Sequence, residues 1–424
     1  MLRRVVIAAL AAGAIGPALA QPDTSALADQ VEAKVIAWRR HIHQNPELSF
    51  QEEKTAAYVA AALRQMPGIE VQTGVGKTGV KAVLRGGKPG PVIALRADMD
   101  ALPVEERNDL PFRSQAKAMW QGKETGVMHA CGHDAHVAML LGAAEIFSKM
   151  RAELPGTLVF IFQPAEEGGG GAYAMVAAGV MDNPKVEAVF GQHIGAAAPG
   201  GAIGYRSGGT MASSDSFHVT VKGTGGHGAM PWLSKDPIVT AAQIVTNLQT
   251  VVSRQADLSS GAAVITVGQF NAGNRVNIIP EQATFSGTIR TLNEPTRVRV
   301  HEAVTRMAEK VAEASGLTAE VKVERGYPVL SNDPKLTSRM LGALERAAGK
   351  GMVNEIPPIL ASEDFGAYST KAPSFFWFLN ATPYADRAGP PNHSPLFMID
   401  EKYMKTGVRA MVGVALEYLY GAQK

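Results

Sequence analysis

Apolar runs of strand length alternate with helix-length segments, and this alternation constrains the fold more than any other feature of the sequence. Strands are predicted at 92–95, 157–162 and 186–190, with helices between them at 135–151 and 171–179. Such alternation is typical of a mainly parallel sheet that is covered by helices on both faces. The fold class predicted for this chain is therefore α/β.

The pattern changes between residues 209 and 325 and predicts a second, smaller domain. Elements are predicted there in the order strand, helix, strand, strand, helix, strand, at 215–223, 236–254, 262–270, 282–291, 295–315 and 318–325. This is the order of a ferredoxin-like split α+β motif. The larger domain is therefore predicted to be discontinuous, over 21–208 and 326–424.

Two further helices are predicted before the first strand, at 26–43 and about 50–66. Ser49 is followed three residues later by Glu52, which predicts a capping box at the start of the second helix. Asp134 stands directly before the helix at 135–151 and is predicted to cap its N-terminus.

The first twenty residues have the features of a secretory leader. Arg3 and Arg4 precede an apolar stretch at 5–16, and Ala-Leu-Ala at 18–20 forms a small-residue cleavage site. The apolar stretch is too short for a good membrane anchor. We therefore expect residues 1–20 to be a cleaved signal peptide and the mature protein to be periplasmic. The paired arginines leave both the Sec and the twin-arginine route open.

The charge balance argues against anionic partners. Cleavage removes two arginines and takes Lys plus Arg from 41 to 39, which equals the 39 Asp plus Glu, so the net charge becomes about zero with His neutral. Neither nucleic acid nor a membrane surface is therefore expected as a partner. Cys131 is the one cysteine and cannot form an internal disulfide. A lone thiol in an exported protein is expected to be either buried or occupied, and binding a metal as a thiolate is one way to occupy it.

The segment 128–136 places one thiol, three imidazoles and one carboxylate within nine positions. Its Cys131 and His133 are two residues apart and suit a divalent transition metal. A hydrogen-bonded histidine cluster at a helix start is the structural alternative. A thiol hydrolase, with Cys131 as nucleophile and His133 or His136 as its base, is the chemical alternative.

Glu166 and Glu167 follow the strand at 157–162, at the end where parallel sheets place their chemistry. Consecutive residues in extended backbone point in opposite directions. One carboxylate can therefore bind a metal while its neighbour faces an attacking water. A solvated acidic turn is the alternative interpretation.

The remaining candidates are weak when each is taken alone. His193 and His393 would each be read as a hydrogen-bonded structural histidine. Asp98 and Asp100 would orient ligand imidazoles, or would form a polar turn. The acidic pair at 363–364 fits the N-terminus of a helix.

Seven motifs nevertheless follow one another along the chain. They are Arg40-x-x-His43-x-x-Pro46-Glu47-Leu48, Arg96-Ala97-Asp98-Met99-Asp100-Ala101-Leu102-Pro103, His129-Ala130-Cys131-Gly132-His133-Asp134, Phe162-Gln163-Pro164-Ala165-Glu166-Glu167, Asn277-Ile278-Ile279-Pro280, Ser362-Glu363-Asp364-Phe365 and His393-Ser394-Pro395. With them the sequence resembles metallopeptidase family 20, of the aminoacylase and carboxypeptidase type. Within that family it is similar to the amidohydrolase branch, which contains hippurate hydrolases and auxin-amino-acid conjugate hydrolases. The likeness spans about residues 30–420.

The resemblance implies hydrolysis of the amide bond of N-acyl amino acids, hippurate-like or N-acetylated. Carboxypeptidase or dipeptidase activity on short peptides is the alternative. Glu166 is implied to be the general base and later the acid. Two divalent ions, zinc or manganese, are implied, with the thiolate shared between them and with the ligands Cys131, His133, Glu167, His193 and His393.

The resemblance also implies that the domain at 209–325 is a lid that forms a homodimer and permits tetramers. His227 would then stabilise the oxyanion in the partner's site, and Asn277 and Arg290 would hold the substrate carboxylate. Arg290 suits that task independently, because guanidinium binds carboxylate through two parallel hydrogen bonds. A periplasmic binding protein without chemistry is a further alternative, but it would need neither the ligands nor the base.

Overall fold

A computed structural model of the chain describes residues 25–384 and 387–421. The expected signal peptide at 1–20 lies outside these residues. Among the described helices, none combines the length and the apolar character that a membrane crossing requires.

The first part of the chain forms most strands of a large sheet and several helices. Its elements are α1 (Ser25–Gln44), α2 (Glu53–Arg64), β1 (Ile69–Val75), β2 (Gly79–Arg85), β3 (Lys88–Asp98), β4 (Lys117–Trp120), β5 (Lys123–Gly126), α3 (His133–Lys149), β6 (Pro155–Gln163), α4 (Gly171–Ala177), β7 (Ala188–Gly195), β8 (Ile203–Tyr205) and β9 (Gly208–Met211).

The middle of the chain forms a separate four-stranded antiparallel sheet, in the order β12-β14-β10-β15. Its elements are β10 (Asp215–Lys222), β11 (Gly226–His227), α5 (Pro237–Thr250), β12 (Ala263–Ala272), β13 (Ile278–Ile279), β14 (Gln282–Thr291), α6 (Glu294–Ala314) and β15 (Thr318–Glu324). If the short strands β11 and β13 are left aside, the elements follow the predicted order of strand, helix, strand, strand, helix, strand. This part of the chain has a separate hydrophobic core, which includes Phe217, Ile244, Phe285 and Val304. We call this part the four-stranded unit.

The last part of the chain returns to the large sheet. Its elements are β16 (Leu330–Asn332), α7 (Pro334–Ala348), β17 (Val353–Glu355), α8 (Gly366–Ser369), β18 (Ser374–Asn380) and α9 (Met404–Gly421). The large sheet has the order β1-β2-β6-β3-β7-β18-β8-β17. Its centre is parallel, because β3 pairs in parallel with β6 and β7, and β18 pairs in parallel with β7. The prediction of a mainly parallel sheet is confirmed, with antiparallel pairings of β1, β2 and β8 outside this centre.

The large sheet is buried on both faces, which explains why its central strands read as unbroken apolar runs. Ile93 and Leu95 of β3 face the core formed with α1, α3, α7 and α9. Ala94, between them, faces the opposite core with Met175 of α4 and Tyr368 of α8. Successive side chains of a strand point to opposite faces, so a strand covered on both faces must be apolar throughout.

The predicted capping box at the second helix is wrong. Ser49 Oγ donates to Asp100 Oδ2 at 2.7 Å, and Glu52 makes no side-chain cap for α2. The carboxylate of Glu47 instead accepts the N–H of Thr55 at 2.8 Å, within the first turn. Ser49 and Glu52 form hydrogen bonds with partners that are distant in sequence, so the predicted capping box does not form.

The predicted cap by Asp134 is also wrong. The helix α3 begins at His133, two residues earlier than predicted, after Gly132, whose φ of +86° places it in the left-handed region that favours glycine. Asp134 is buried and its carboxylate accepts from Arg39 Nε at 2.7 Å and His43 Nδ1 at 2.8 Å. The Arg39 and His43 charges hold the pKa of Asp134 well below its usual range. Asp134 therefore fixes α3 against α1.

Candidate metal centre

The polar candidates meet at one edge of the large sheet because parallel strands end there together. Asp98 ends β3, Glu166 and Glu167 follow β6, and His193 lies within β7, which runs beyond the predicted strand end at 190. Loops and helix starts at the same edge supply Cys131, His133 and His393.

The five predicted ligands form two groups that share the thiol. The ligand atoms of Cys131, His133 and His193 lie within 4.8 Å of one another, and so do those of Cys131, Glu167 and His393. The distance from Cys131 Sγ to His193 Nε2 is 3.4 Å, and that from His393 Nε2 to Glu167 Oε1 is 3.2 Å. This is the arrangement that a thiolate shared between two ions requires.

One predicted ligand atom in this cluster, the buried His133 Nε2, lacks a hydrogen-bond partner among the described residues. An unsatisfied buried polar atom typically costs about 1–3 kcal/mol, so such atoms are rare without a functional reason. Hydrogen bonding to Cys131 and Glu167 raises the pKa of His393 to about 10, so this end of the cluster stabilises positive charge. Sulfur, nitrogen and oxygen donors in this setting fit divalent transition metals.

Backbone carbonyls fix the orientation of two ligand rings. His133 Nδ1 lies 2.9 Å from the Asp100 carbonyl oxygen, and His193 Nδ1 lies 2.8 Å from the Ile194 carbonyl oxygen. A carbonyl can only accept, so each Nδ1 carries a proton, and in the neutral ring each Nε2 then presents a lone pair. Ring orientation of this kind accompanies most metal-binding histidines.

The two aspartates predicted to orient ligands have different partners. The Asp100 carboxylate accepts the N–H groups of Glu166 and Glu167, at 3.0 and 3.1 Å, and so fixes the loop of the predicted base. The Asp98 carboxylate lies 2.5 Å from His136 Nδ1 and 3.7 Å from His133 Nε2. Asp98 therefore orients His136 directly, rather than a predicted ligand.

The geometry does not support the version of the thiol-hydrolase alternative that uses His136 as the base. Both nitrogens of His136 are engaged, because Nδ1 donates to Asp98 and Nε2 accepts the Ile194 N–H at 2.7 Å. His136 is thus unable to serve as a base. Burial raises the pKa of the Cys131 thiol, whereas a thiol nucleophile needs a lowered pKa.

Glu166 is buried beside two other acids. Its carboxylate lies within 4.8 Å of those of Glu363 and Asp364, and Arg96 donates to the latter two at 2.9 and 3.1 Å. Burial, followed by the charge of Glu363, holds the pKa of Glu166 well above its usual value. A carboxylate with a raised pKa is suited to general base catalysis near neutral pH. Glu363 and Asp364 stand just before α8, as the sequence predicted, but their side chains are buried and bind Arg96.

Glu52 also stabilises the loop that carries Glu166. Its Oε1 accepts the N–H of Phe50 and that of Ala165, each at 2.9 Å. Ala165 has a φ of +51°, a left-handed conformation that a residue with a side chain adopts at a cost of about 1–2 kcal/mol. Glu52 thus stabilises the strained residue that directly precedes Glu166.

Replacement of Glu52 by glutamine is expected to change how stability depends on pH. Burial raises the pKa of Glu52 from 4.5 to about 7. Its stabilising contribution is therefore complete below pH 4.5 and is lost as pH rises through 7. Glutamine does not ionise, so the stability of Glu52→Gln relative to wild type should rise by up to about 3 kcal/mol between pH 4.5 and 8. Urea unfolding across this range measures the difference, and a difference independent of pH would contradict the assignment.

Asn392 is a site residue that the sequence analysis missed. Its Nδ2 donates to the Cys131 carbonyl at 3.1 Å and the Ile194 carbonyl at 3.2 Å, and lies 3.7 Å from Cys131 Sγ. It directly precedes His393, whose φ is +70°. One amide therefore ties together the backbone around three predicted ligands. Its position next to His393 was the only available signal in the sequence.

Replacement of Asn392 by alanine is expected to weaken divalent-ion binding by about 10- to 100-fold, because groups that orient ligands typically contribute this much. Competition with a chelator measures the affinity. Asn354→Ala, at an exposed position in β17, is the matched control and should bind as wild type does. Equal affinities of Asn392→Ala and wild type would remove Asn392 from the site.

The predicted substrate residues lie in the four-stranded unit, outside this cluster. His227 and Asn277 are exposed neighbours: the His227 ring accepts the Ala229 N–H at 3.1 Å, and Gly228 N–H donates to the Asn277 carbonyl at 2.9 Å. Arg290 is half-buried in β14, and its Nη1 donates to the Ser213 carbonyl at 3.4 Å. Their roles toward substrate stay predictions.

Known proteins resemble the chain over nearly its whole length. The model of peptidase family M20/M25/M40 matches residues 94–417. Thermostable carboxypeptidase 2 of Saccharolobus solfataricus is 42% identical over 92% of this chain and 96% of its own length. The N-acyl-L-amino acid amidohydrolase of Geobacillus stearothermophilus is 46% identical over 72% and 80%.

A solved structure extends the likeness to the fold. The Bacillus subtilis protein YXEP, described as a dinuclear metal-binding peptidase from family M20, matches with a TM-score of 0.78 and 36% identity, over 92% of this chain and 99% of its own. The family expected from the seven motifs is thereby confirmed. The chain belongs to peptidase family M20/M25/M40 and is a hydrolytic enzyme.

Proposed function

We propose that the chain hydrolyses the amide bond of N-acyl amino acids, with Glu166 as general base at a centre for two divalent ions. One observation carries this proposal: the buried Glu166 carboxylate, with its raised pKa, lies within 4.8 Å of the ligand atoms of His133 and Glu167. A base must lie within reach of the water that it deprotonates. The name of the Geobacillus stearothermophilus relative supports the substrate class.

The chain would hold the two ions through the ligands Cys131, His133, Glu167, His193 and His393. When bound, such ions polarise an amide carbonyl and make water more acidic. Glu166 takes the proton from the attacking water and passes it to the leaving amine. Asp100 fixes the backbone of Glu166 and the ring of His133, so base and ligand keep their relative positions. Zinc and manganese both suit these donors.

The proposal also includes residues that bind the substrate and a homodimer. His227 would stabilise the oxyanion in the partner's site, and Asn277 and Arg290 would bind the substrate carboxylate. Large apolar side chains are exposed near His227 in the four-stranded unit: Met230, Trp232, Leu233, Val276 and Ile278. An exposed apolar patch of this kind commonly marks a protein interface. This patch supports a homodimer formed through the four-stranded unit, and tetramers remain compatible with it.

Carboxypeptidase or dipeptidase activity is the second candidate, favoured by the 42% identity to a thermostable carboxypeptidase. The two activities share the same chemistry and differ in the group on the acyl side of the amide. Export to the periplasm through the leader at 1–20 also remains part of the proposal, and it rests on the sequence features alone.

A substrate panel tests the proposed activity. The metal-loaded protein is assayed with hippurate, several N-acetyl amino acids and several dipeptides, and kcat/KM is compared. We expect the N-acyl amino acids to be preferred. A preference for dipeptides would favour the second candidate, and inactivity on every substrate would contradict both.

A further inference from the structure

Tyr327 connects the loop of Glu166 to the point where the chain leaves the four-stranded unit. It lies three residues after the end of β15, yet its hydroxyl donates to the Glu166 carbonyl oxygen at 2.8 Å. The same hydroxyl accepts the Gly170 N–H at 3.0 Å. One side chain therefore bridges the two ends of the loop 166–170.

This loop needs such support because its backbone is irregular. Three residues at or near it have positive φ values: Ala165 at +51°, Gly168 at +81° and Gly170 at +71°. Backbone of this kind forms no continuous hydrogen-bonded ladder, so side chains must satisfy its polar groups. Asp100 and Glu52 fix the beginning of the loop. Tyr327 adds contacts to the Glu166 carbonyl and to the far end.

The backbone of Tyr327 is itself held between the two connections of the four-stranded unit. Its N–H donates to Ser214 Oγ at 3.1 Å, and the Ser214 N–H donates to its carbonyl at 3.0 Å. Ser214 directly precedes β10, and Gly326 N–H donates to Asp215 Oδ1 at 3.0 Å. The outgoing and returning segments are thus bonded side by side. A displacement of the four-stranded unit would move Tyr327 and, through its hydroxyl, the loop.

We propose that Tyr327 is a positioning residue for Glu166, which links the placement of the base to the connections of the four-stranded unit. The inference rests on the proposed role of Glu166. Tyr327→Phe keeps the aromatic ring and both backbone bonds to Ser214, and it removes only the two hydroxyl contacts. Small misplacement of a catalytic group can lower the rate by up to about 100-fold. We therefore expect kcat to fall about 10- to 100-fold, with KM within about twofold and metal content unchanged.

Two readouts test this inference, with Tyr173→Phe as the matched control. The rings of Tyr173 and Tyr327 lie 6.2 Å apart, and Tyr173 is 41% exposed. Hydrogen exchange of the segment 164–171 should accelerate in Tyr327→Phe and stay unchanged in Tyr173→Phe. Steady-state kinetics on one N-acyl amino acid should show the kcat effect in the first variant alone.

Each outcome decides the inference. Unchanged exchange in Tyr327→Phe would overturn the claim that the hydroxyl holds the loop. Accelerated exchange with unchanged kcat, or a loss that lies in KM or in metal content, would overturn its positioning role. Inactivity of the metal-loaded wild type would contradict the proposed function and, with it, any catalytic positioning. The exchange measurement requires no activity, so the two failures are distinguishable.

Discussion

Glu166→Gln is expected to lower kcat by about 10²- to 10⁴-fold, the usual contribution of a general base. Glutamine has nearly the same shape but does not accept the proton of the attacking water. Glu166 lies outside the two groups that share Cys131, so we expect the metal content to stay at the wild-type level. The chelated variant should unfold at the same temperature as chelated wild type or higher. The reason is that burial and Glu363 already disfavour the charged form of Glu166.

The control for this variant is Glu345→Gln, an exposed helical position in α7. It should retain wild-type kcat. Turnover by Glu166→Gln within a few-fold of wild type would rule out Glu166 as the base. A simultaneous loss of metal would instead make Glu166 a ligand.

Cys131→Ala is expected to abolish both metal binding and activity. Cys131 belongs to both ligand groups, so its loss removes one donor from each prospective ion site. We expect affinity for divalent ions to fall by more than about 100-fold, which exceeds the usual effect of residues that only orient ligands. Metal analysis after dialysis measures the content. The increase in melting temperature on adding metal, which reports binding to the folded state, should disappear.

Cys131→Ser is the companion variant, because a hydroxyl has a similar size but is a poor substitute for a soft thiolate ligand. It should bind metal more weakly than wild type while its chelated form keeps wild-type secondary structure. An unchanged metal content in Cys131→Ala would remove Cys131 from the ligand set. Activity indifferent to chelation but lost on alkylation of Cys131 would restore the thiol-hydrolase alternative.

Regular patterns made much of the fold predictable. The apolar runs at 157–162 and 186–190 correspond to β6 and β7, because strands covered on both faces must be apolar on both. Four strands and two helices of the four-stranded unit were predicted to within a few residues, since their alternation and turn residues are local signals. The motif at 129–134 and the acidic pair at 166–167 pointed to the cluster because they end neighbouring elements at one sheet edge.

Interactions between residues distant in sequence were not predictable in the same way. Ser49, Glu52 and Asp134 carry local capping signals, yet buried partners 51 to 113 positions away use their side chains instead. Asn392 and Tyr327 carry no motif of their own. Their importance depends on which loops the fold brings to them, and a single sequence does not state this.

The most direct test of the central claim is a metal titration of activity. The purified protein is stripped with a chelator, and hydrolysis of its best N-acyl amino acid is followed as zinc or manganese is added back. We predict no activity in the stripped protein and a return of activity that is complete near two ions per chain. Activity that survives complete removal of metal, or saturates without any ion bound near Cys131, would contradict the account.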